Sequence, residues 1–132
     1  MENLDIMPRQ RRGWAMGGGH GFRDRHSPLI VSMLEPTLLI LLKERSRHGY
    51  TLLSDLAELG MGTIHPSVVY RTLRDLEELT WVQSIWEADQ TQGPPRRTYS
   101  LTTQGEEALK FWLDELVLTR GLITNLVNRI PK

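Results

Sequence analysis

Four side chains spaced along one stretch, Ser67, Tyr70, Arg71 and Arg74, are of the types that recognise a polyanion. On a helix, positions three and four apart share a face, so the four would point the same way. Arginine can donate two parallel hydrogen bonds to a guanine edge, and serine and tyrosine hydroxyls bond phosphate oxygens. Pro66, just ahead, suits a first helical residue, and the free N–H groups of a helix N-terminus also favour phosphate. An ordinary solvated helix face would carry the same residues, and these four alone leave the two readings level. A second basic group shifts the balance. Gly93-Pro94-Pro95-Arg96-Arg97 is stiff and basic, and sits between two short β-type runs. Arginines held this way reach phosphates or a narrow minor groove.

Other chemistries find little support. The chain has no cysteine, which excludes a disulfide framework, a thiolate zinc site and a cysteine nucleophile. Ser54, Asp55 and His65 do not make a triad, because adjacent Ser54 and Asp55 diverge on a helix. Gly17-Gly18-Gly19 lacks the Lys-Ser/Thr of a phosphate-binding loop. His20, His26, His48 and His65 have no ligand spacing on a common face. The expectation is therefore a binding protein without cofactor or metal, not an enzyme.

The elements that must position these residues follow from periodicity. Ser27-Pro28 reads as a cap and first residue of a short helix. A second start at Glu35-Pro36 leads into the nearly continuous apolar run Thr37 to Leu42, a helix buried on most sides. Ser46 to Gly49 breaks it. Tyr50 to Leu59 forms the next helix, with Leu52, Leu53, Leu56 and Leu59 as its buried face. After a turn at Gly60-Met61-Gly62, the helix from Pro66 to Leu79 buries Val69, Leu73 and Leu76, with Leu79 extending the stripe. The period then becomes two: Val82, Ser84 and Trp86 point one way, and Gln83, Ile85 and Glu87 the other. A Pro/Gly loop and a second strand at Arg97 to Leu101 complete a hairpin. Thr103-Gln104-Gly105-Glu106 matches a capping box and opens a helix to about Arg129. Its stripe is Leu109, Trp112, Leu116, Thr119, Ile123, Leu126 and Ile130, beside a second strip of Leu113, Val117 and Leu122. A face that wide needs a partner, and Gly121 offers a place to bend.

The totals are compatible with this order. At 132 residues and 39% hydrophobic, the chain supports one modest core plus a tail. Lys+Arg and Asp+Glu are each 16, a balance unlike that of most nucleic-acid binders, but the charge is uneven. Five arginines fall in the first 28 residues, and acids cluster at Glu77-Glu78, Glu106-Glu107 and Asp114-Glu115. The longest apolar run is too short for a bilayer and Arg9, Arg11 and Arg12 replace a signal-peptide core, so a cytoplasmic location and no membrane are expected.

Helix, helix, helix, strand, loop, strand, helix is the order of a winged helix-turn-helix. From about residue 33 to 113 the chain resembles the PadR-like winged-helix regulators. The resemblance rests on His48-Gly49-Tyr50, the run from Pro66 to Glu77, Trp86-Glu87, Gly93 to Tyr99, and Leu101 to Gly105. It implies that Tyr50, Ser67, Tyr70, Arg71, Arg96 and Arg97 face double-stranded DNA; Arg74 is added from the helical face. It also implies a homodimer, closed by the C-terminal helix, that represses at palindromic promoter DNA and is released by a small molecule. Thr80-Trp81 departs from the family, which often has a glycine followed by a hydrophobic residue there, and the single C-terminal helix is short of the long subgroup's helical domain.

The expected fold is thus mainly α with a small β-hairpin. Residues 1–27 form a flexible Gly/Arg-rich tail, 28–101 a winged helix-turn-helix domain, and 102–132 a C-terminal dimerisation helix. Leu109, Trp112, Leu116, Ile123 and Leu126 are its expected dimer contacts, with residues 28–34 as an addition. Trp112, approached by Trp14, offers aromatic planes to a small aromatic or hydrophobic effector, although packing in the dimer core is the commoner use of such a residue. The rival reading is a winged-helix protein-interaction module without specific DNA binding.

Overall fold

The computed structural model describes residues 27–87 and 96–131. Helix α1 (Pro28–Ser32) starts as its sequence dictates: the Ser27 hydroxyl accepts from the Leu29 amide at 3.1 Å, with Pro28 at the first position. Helix α2 (Leu34–Glu44) buries Leu34, Leu38, Leu39, Leu41 and Leu42. It forms the centre of the fold, packing against α3 (Gly49–Leu56), α4 (Pro66–Glu78), the sheet and α5 (Thr103–Asn128). Leu52, Leu56, Val69, Leu73, Leu76, Val82 and Tyr99 close around it.

The hairpin of β2 (Val82–Glu87) and β3 (Arg96–Leu101) pairs in the expected alternation, with Val82 opposite Leu101, Ser84 opposite Tyr99 and Trp86 opposite Arg97. It gains a third strand. The break after α2 is a two-residue strand, β1 (Arg47–His48), which pairs antiparallel with β3 through Arg47–Tyr99 and His48–Thr98. The sheet order is β1-β3-β2. Arg47 explains why the link is ordered. Its guanidinium is buried and reaches Glu44 at 2.7 Å and Asp55 at 2.8 Å, tying the end of α2 to α3.

Three sequence expectations need correction. Helix α3 gives way to an irregular turn, Ala57–Met61, in which the backbone kinks at Gly60 with φ 97°. Leu59, just ahead of the kink, is exposed, and Met61, just after it, is buried in the core. Leu79 is likewise exposed, because α4 stops at Glu78. Its exit is a Schellman motif: the Trp81 amide donates to the Leu76 carbonyl and the Thr80 amide to the Glu77 carbonyl. Thr80 fills the left-handed position at φ 64°. The cap of α5 is Thr102 rather than Thr103; its hydroxyl accepts from the Gly105 amide at 2.9 Å and donates to the Thr80 carbonyl at 2.6 Å. Gly105 is needed here, since a Cβ would lie 2.1 Å from the Trp81 carbonyl oxygen. Helix α5 then runs unbroken through Gly121. None of the helices among the described residues is long and apolar enough to cross a membrane.

Candidate nucleic-acid interface

Helices α3 and α4 and the turn between them form the helix-turn-helix, and β2–β3 follows as the wing. His65 caps α4: its Nδ1 accepts the Ser67 amide at 3.1 Å and lies 3.0 Å from the Ser67 hydroxyl. An imidazole rather than a hydroxyl does this work, so sequence patterns for caps miss it. The inner stripe Val69, Leu73 and Leu76 is buried, which turns Ser67, Tyr70, Arg71 and Arg74 to solvent. Arg71 and Arg74 have no ion pair or hydrogen bond among the described residues. Their guanidinium donors are available to a ligand.

Tyr50 opens onto the same side from the start of α3. Its ring is exposed, lies parallel to His48 at 6.1 Å, and sits 5.5 Å below the Arg96 guanidinium. His48 in turn meets Glu87 at 3.1 Å. Gly49 lets the Tyr70 ring approach, for a Cβ there would lie 2.8 Å from Tyr70 Cε1. Arg96 thus lies over Tyr50, and Tyr70 from the N-terminal half of α4 lies against Gly49, the residue before Tyr50.

Arg97 does not join them as a free cation. It points to the other face of β3, toward Glu77, Ser84 and the rings of Trp86 and Tyr99. Burial pushes the Tyr99 phenol above its ordinary range, while the Arg97 charge acts in the opposite direction. Gly93, Pro94 and Pro95 at the loop, and the arginines, Trp14 and Phe22 of the N-terminal segment, lie outside the described residues.

The five expected dimer contacts separate along α5. Leu109 is buried in its own subunit's core, so its first task is intramolecular. Trp112 and Leu116 are half-buried, and Ile123 and Leu126 are exposed. The apolar surface is broader than the stripe read from the sequence: Phe111, Leu118 and Val127 are exposed as well.

A helix-turn-helix followed by a two-stranded wing defines the class of winged-helix proteins. The match to the PadR-like family of transcriptional regulators spans residues 38–111, and the chain belongs to that family. It is a DNA-binding transcriptional regulator, not an enzyme. A PadR family regulator from Eggerthella lenta is 26% identical, with a TM-score of 0.65, covering 75% of this chain and 85% of its own. A conserved protein described as a potential transcriptional factor is 37% identical, with a TM-score of 0.61, over 73% of this chain and 85% of its own. A PadR-like regulator from Bacillus cereus shares the fold at 22% identity, with a TM-score of 0.68, over 76% of this chain and 97% of its own. A comparison with curated proteins returns no match.

Proposed function

We propose that the chain is a homodimeric repressor that reads a palindromic promoter site. The observation that carries this reading is the exposed cluster of Ser67, Tyr70, Arg71 and Arg74 beside Tyr50 and Arg96, with Arg71 and Arg74 unpaired among the described residues. The N-terminal half of α4 enters the major groove, where Arg71 and Tyr70 read base edges. Ser67, Tyr50 and Arg96 hold phosphates and set the register. Two copies joined through α5 present two such helices about 34–36 Å apart, one turn of duplex. The exposed apolar side chains from Phe111 to Ile130 supply the dimer contact. Release by a small flat hydrophobic ligand completes the proposal, with the half-buried Trp112 on the dimer-facing helix as its platform.

Fluorescence anisotropy with a duplex from the gene's own upstream region, against a random duplex and at several salt concentrations, tests it. Specific, salt-sensitive, submicromolar binding is the expected result. Arg71→Ala is expected to lose about 1–3 kcal/mol and relax base preference. Unchanged discrimination by that variant removes Arg71 from base reading, and equal weak binding of both duplexes by the wild type favours a protein-interaction module.

A further inference from the structure

The two wing arginines are held in opposite ways. Arg96 lies over the exposed Tyr50 ring with no ion pair among the described residues. Arg97, though its side chain is 41% exposed, is engaged from several directions. Its Nε donates to the Ser84 hydroxyl at 2.9 Å, and that hydroxyl donates to Glu77 Oε2 at 2.5 Å. A second guanidinium nitrogen lies 3.7 Å from Glu77 Oε1. The rings of Trp86 and Tyr99 flank the charge at 5.1 and 5.9 Å. The Glu77 side chain is 24% exposed and the Arg97 side chain 41%, so solvent partly screens the charge pair and the Ser84 hydrogen bonds carry the joint. The three groups come from three elements: Arg97 from β3, Ser84 from β2 and Glu77 from α4.

The chain of contacts therefore spans the joint between the wing and the proposed recognition helix. A reader that grips a groove with one element and the backbone with another needs their mutual angle fixed beforehand, or binding must bear the cost of ordering them. Hydrogen bonds in series that involve charged groups polarise and strengthen one another.

We propose that Glu77 and Arg97 are positioning residues, forming with Ser84 a strut that sets the wing against α4, and that Arg97 does not contact DNA. The proposal rests on the DNA-binding reading above and reassigns one of its expected contacts. The competing role makes the opposite forecast. If Arg97 grips phosphate and Glu77 merely repels DNA, removing the Glu77 charge strengthens binding.

The test compares wild type, Glu77→Gln, Arg97→Ala, the double variant and Arg96→Ala on one duplex that the wild type prefers, over a salt series. Glu77→Gln and Arg97→Ala are each expected to weaken binding about tenfold, the scale of a hydrogen bond to a charged group. The double variant is expected to be no weaker than the worse single, since both break one network. The salt slope stays near wild type in these variants, whereas Arg96→Ala flattens it by about one. Tighter binding by Glu77→Gln, or a slope lowered by about one in Arg97→Ala, overturns the strut.

A DNA-free arm keeps the two readings separable. Amide hydrogen exchange in β2 and β3 is expected to quicken about tenfold in Glu77→Gln and Arg97→Ala but not in Arg96→Ala, for the same lost bond. Exchange in α5 serves as the control for global unfolding. Unchanged β2 and β3 exchange in both strut variants overturns the proposal. A wild type that prefers no duplex, with exchange quickened as expected, counts against DNA reading while leaving the strut supported.

Discussion

Thr80 occupies the left-handed region at φ 64°, a costly place for a β-branched residue. The Schellman exit of α4 requires that conformation whatever residue stands there, and the family resemblance had placed glycine at this position. Thr80 keeps the geometry and bears the strain. Left-handed backbone costs about 1–2 kcal/mol for a residue with a Cβ, and glycine's extra freedom in the unfolded chain offsets about 0.5–1. Thr80→Gly is therefore expected to stabilise by up to about 1 kcal/mol, read as a higher urea midpoint at unchanged slope. The threonine hydroxyl does not argue against this, since its recorded partner is the adjacent Leu79 carbonyl. A lower midpoint would show that the exit is unstrained. The neighbouring contact from Thr102 uses the Thr80 backbone carbonyl and survives the substitution.

At the scale of elements, the sequence revealed most of the helices and the hairpin, because each buries one periodic face. Val69, Leu73 and Leu76 on α4 are buried where helical spacing put them, and Val82, Ser84 and Trp86 share a strand face as the alternation put them. What escaped was set by contacts distant in sequence or by backbone hydrogen bonding. Strand β1 exists through pairing with β3, about fifty residues away, and two residues carry no period to detect. The segment Ala57–Met61 leaves helical backbone at Gly60, φ 97°, so the apolar stripe does not continue inward through Leu59. Among site residues, Ser67, Tyr70, Arg71 and Arg74 were legible as a face, whereas the engagement of Arg97 depends on Glu77 being folded against it. The exposure of Leu59 has a measurable consequence. Leu56→Ala removes fully buried atoms and is expected to cost about 2–5 kcal/mol. Leu59→Ser, three residues on in the same apparent stripe, is expected to stay within about 0.5 kcal/mol. Chemical denaturation of both distinguishes the observed turn from a continued helix, in which Leu59→Ser would be the damaging change.

For the whole molecule, zero net charge and a polyanion partner are reconciled by placement. Arg71, Arg74 and Arg96 are exposed around the proposed interface, while Glu44, Asp55 and Glu77 pair with Arg47 and Arg97. The apolar side chains follow a similar division. Leu109 completes the subunit's core, and beyond it α5 projects Val117, Leu118, Leu122, Ile123, Leu126 and Val127 into solvent. A helix apolar on several sides is stable only when covered, which is the argument for a second copy. Ile123→Glu with Leu126→Glu is expected to convert the proposed dimer to monomer in sedimentation velocity while leaving residues 27–109 folded. It should also abolish the dependence of Tm on protein concentration expected of the wild type. Affinity for a full palindrome should then fall toward that for a half-site, because the second contact is no longer intramolecular. Leu109→Ala should behave differently, destabilising each subunit by about 2–5 kcal/mol, since its side chain fills the core rather than the interface. A wild-type chain that sediments as a monomer at the concentrations where it binds a palindrome would assign the α5 surface to a partner other than itself.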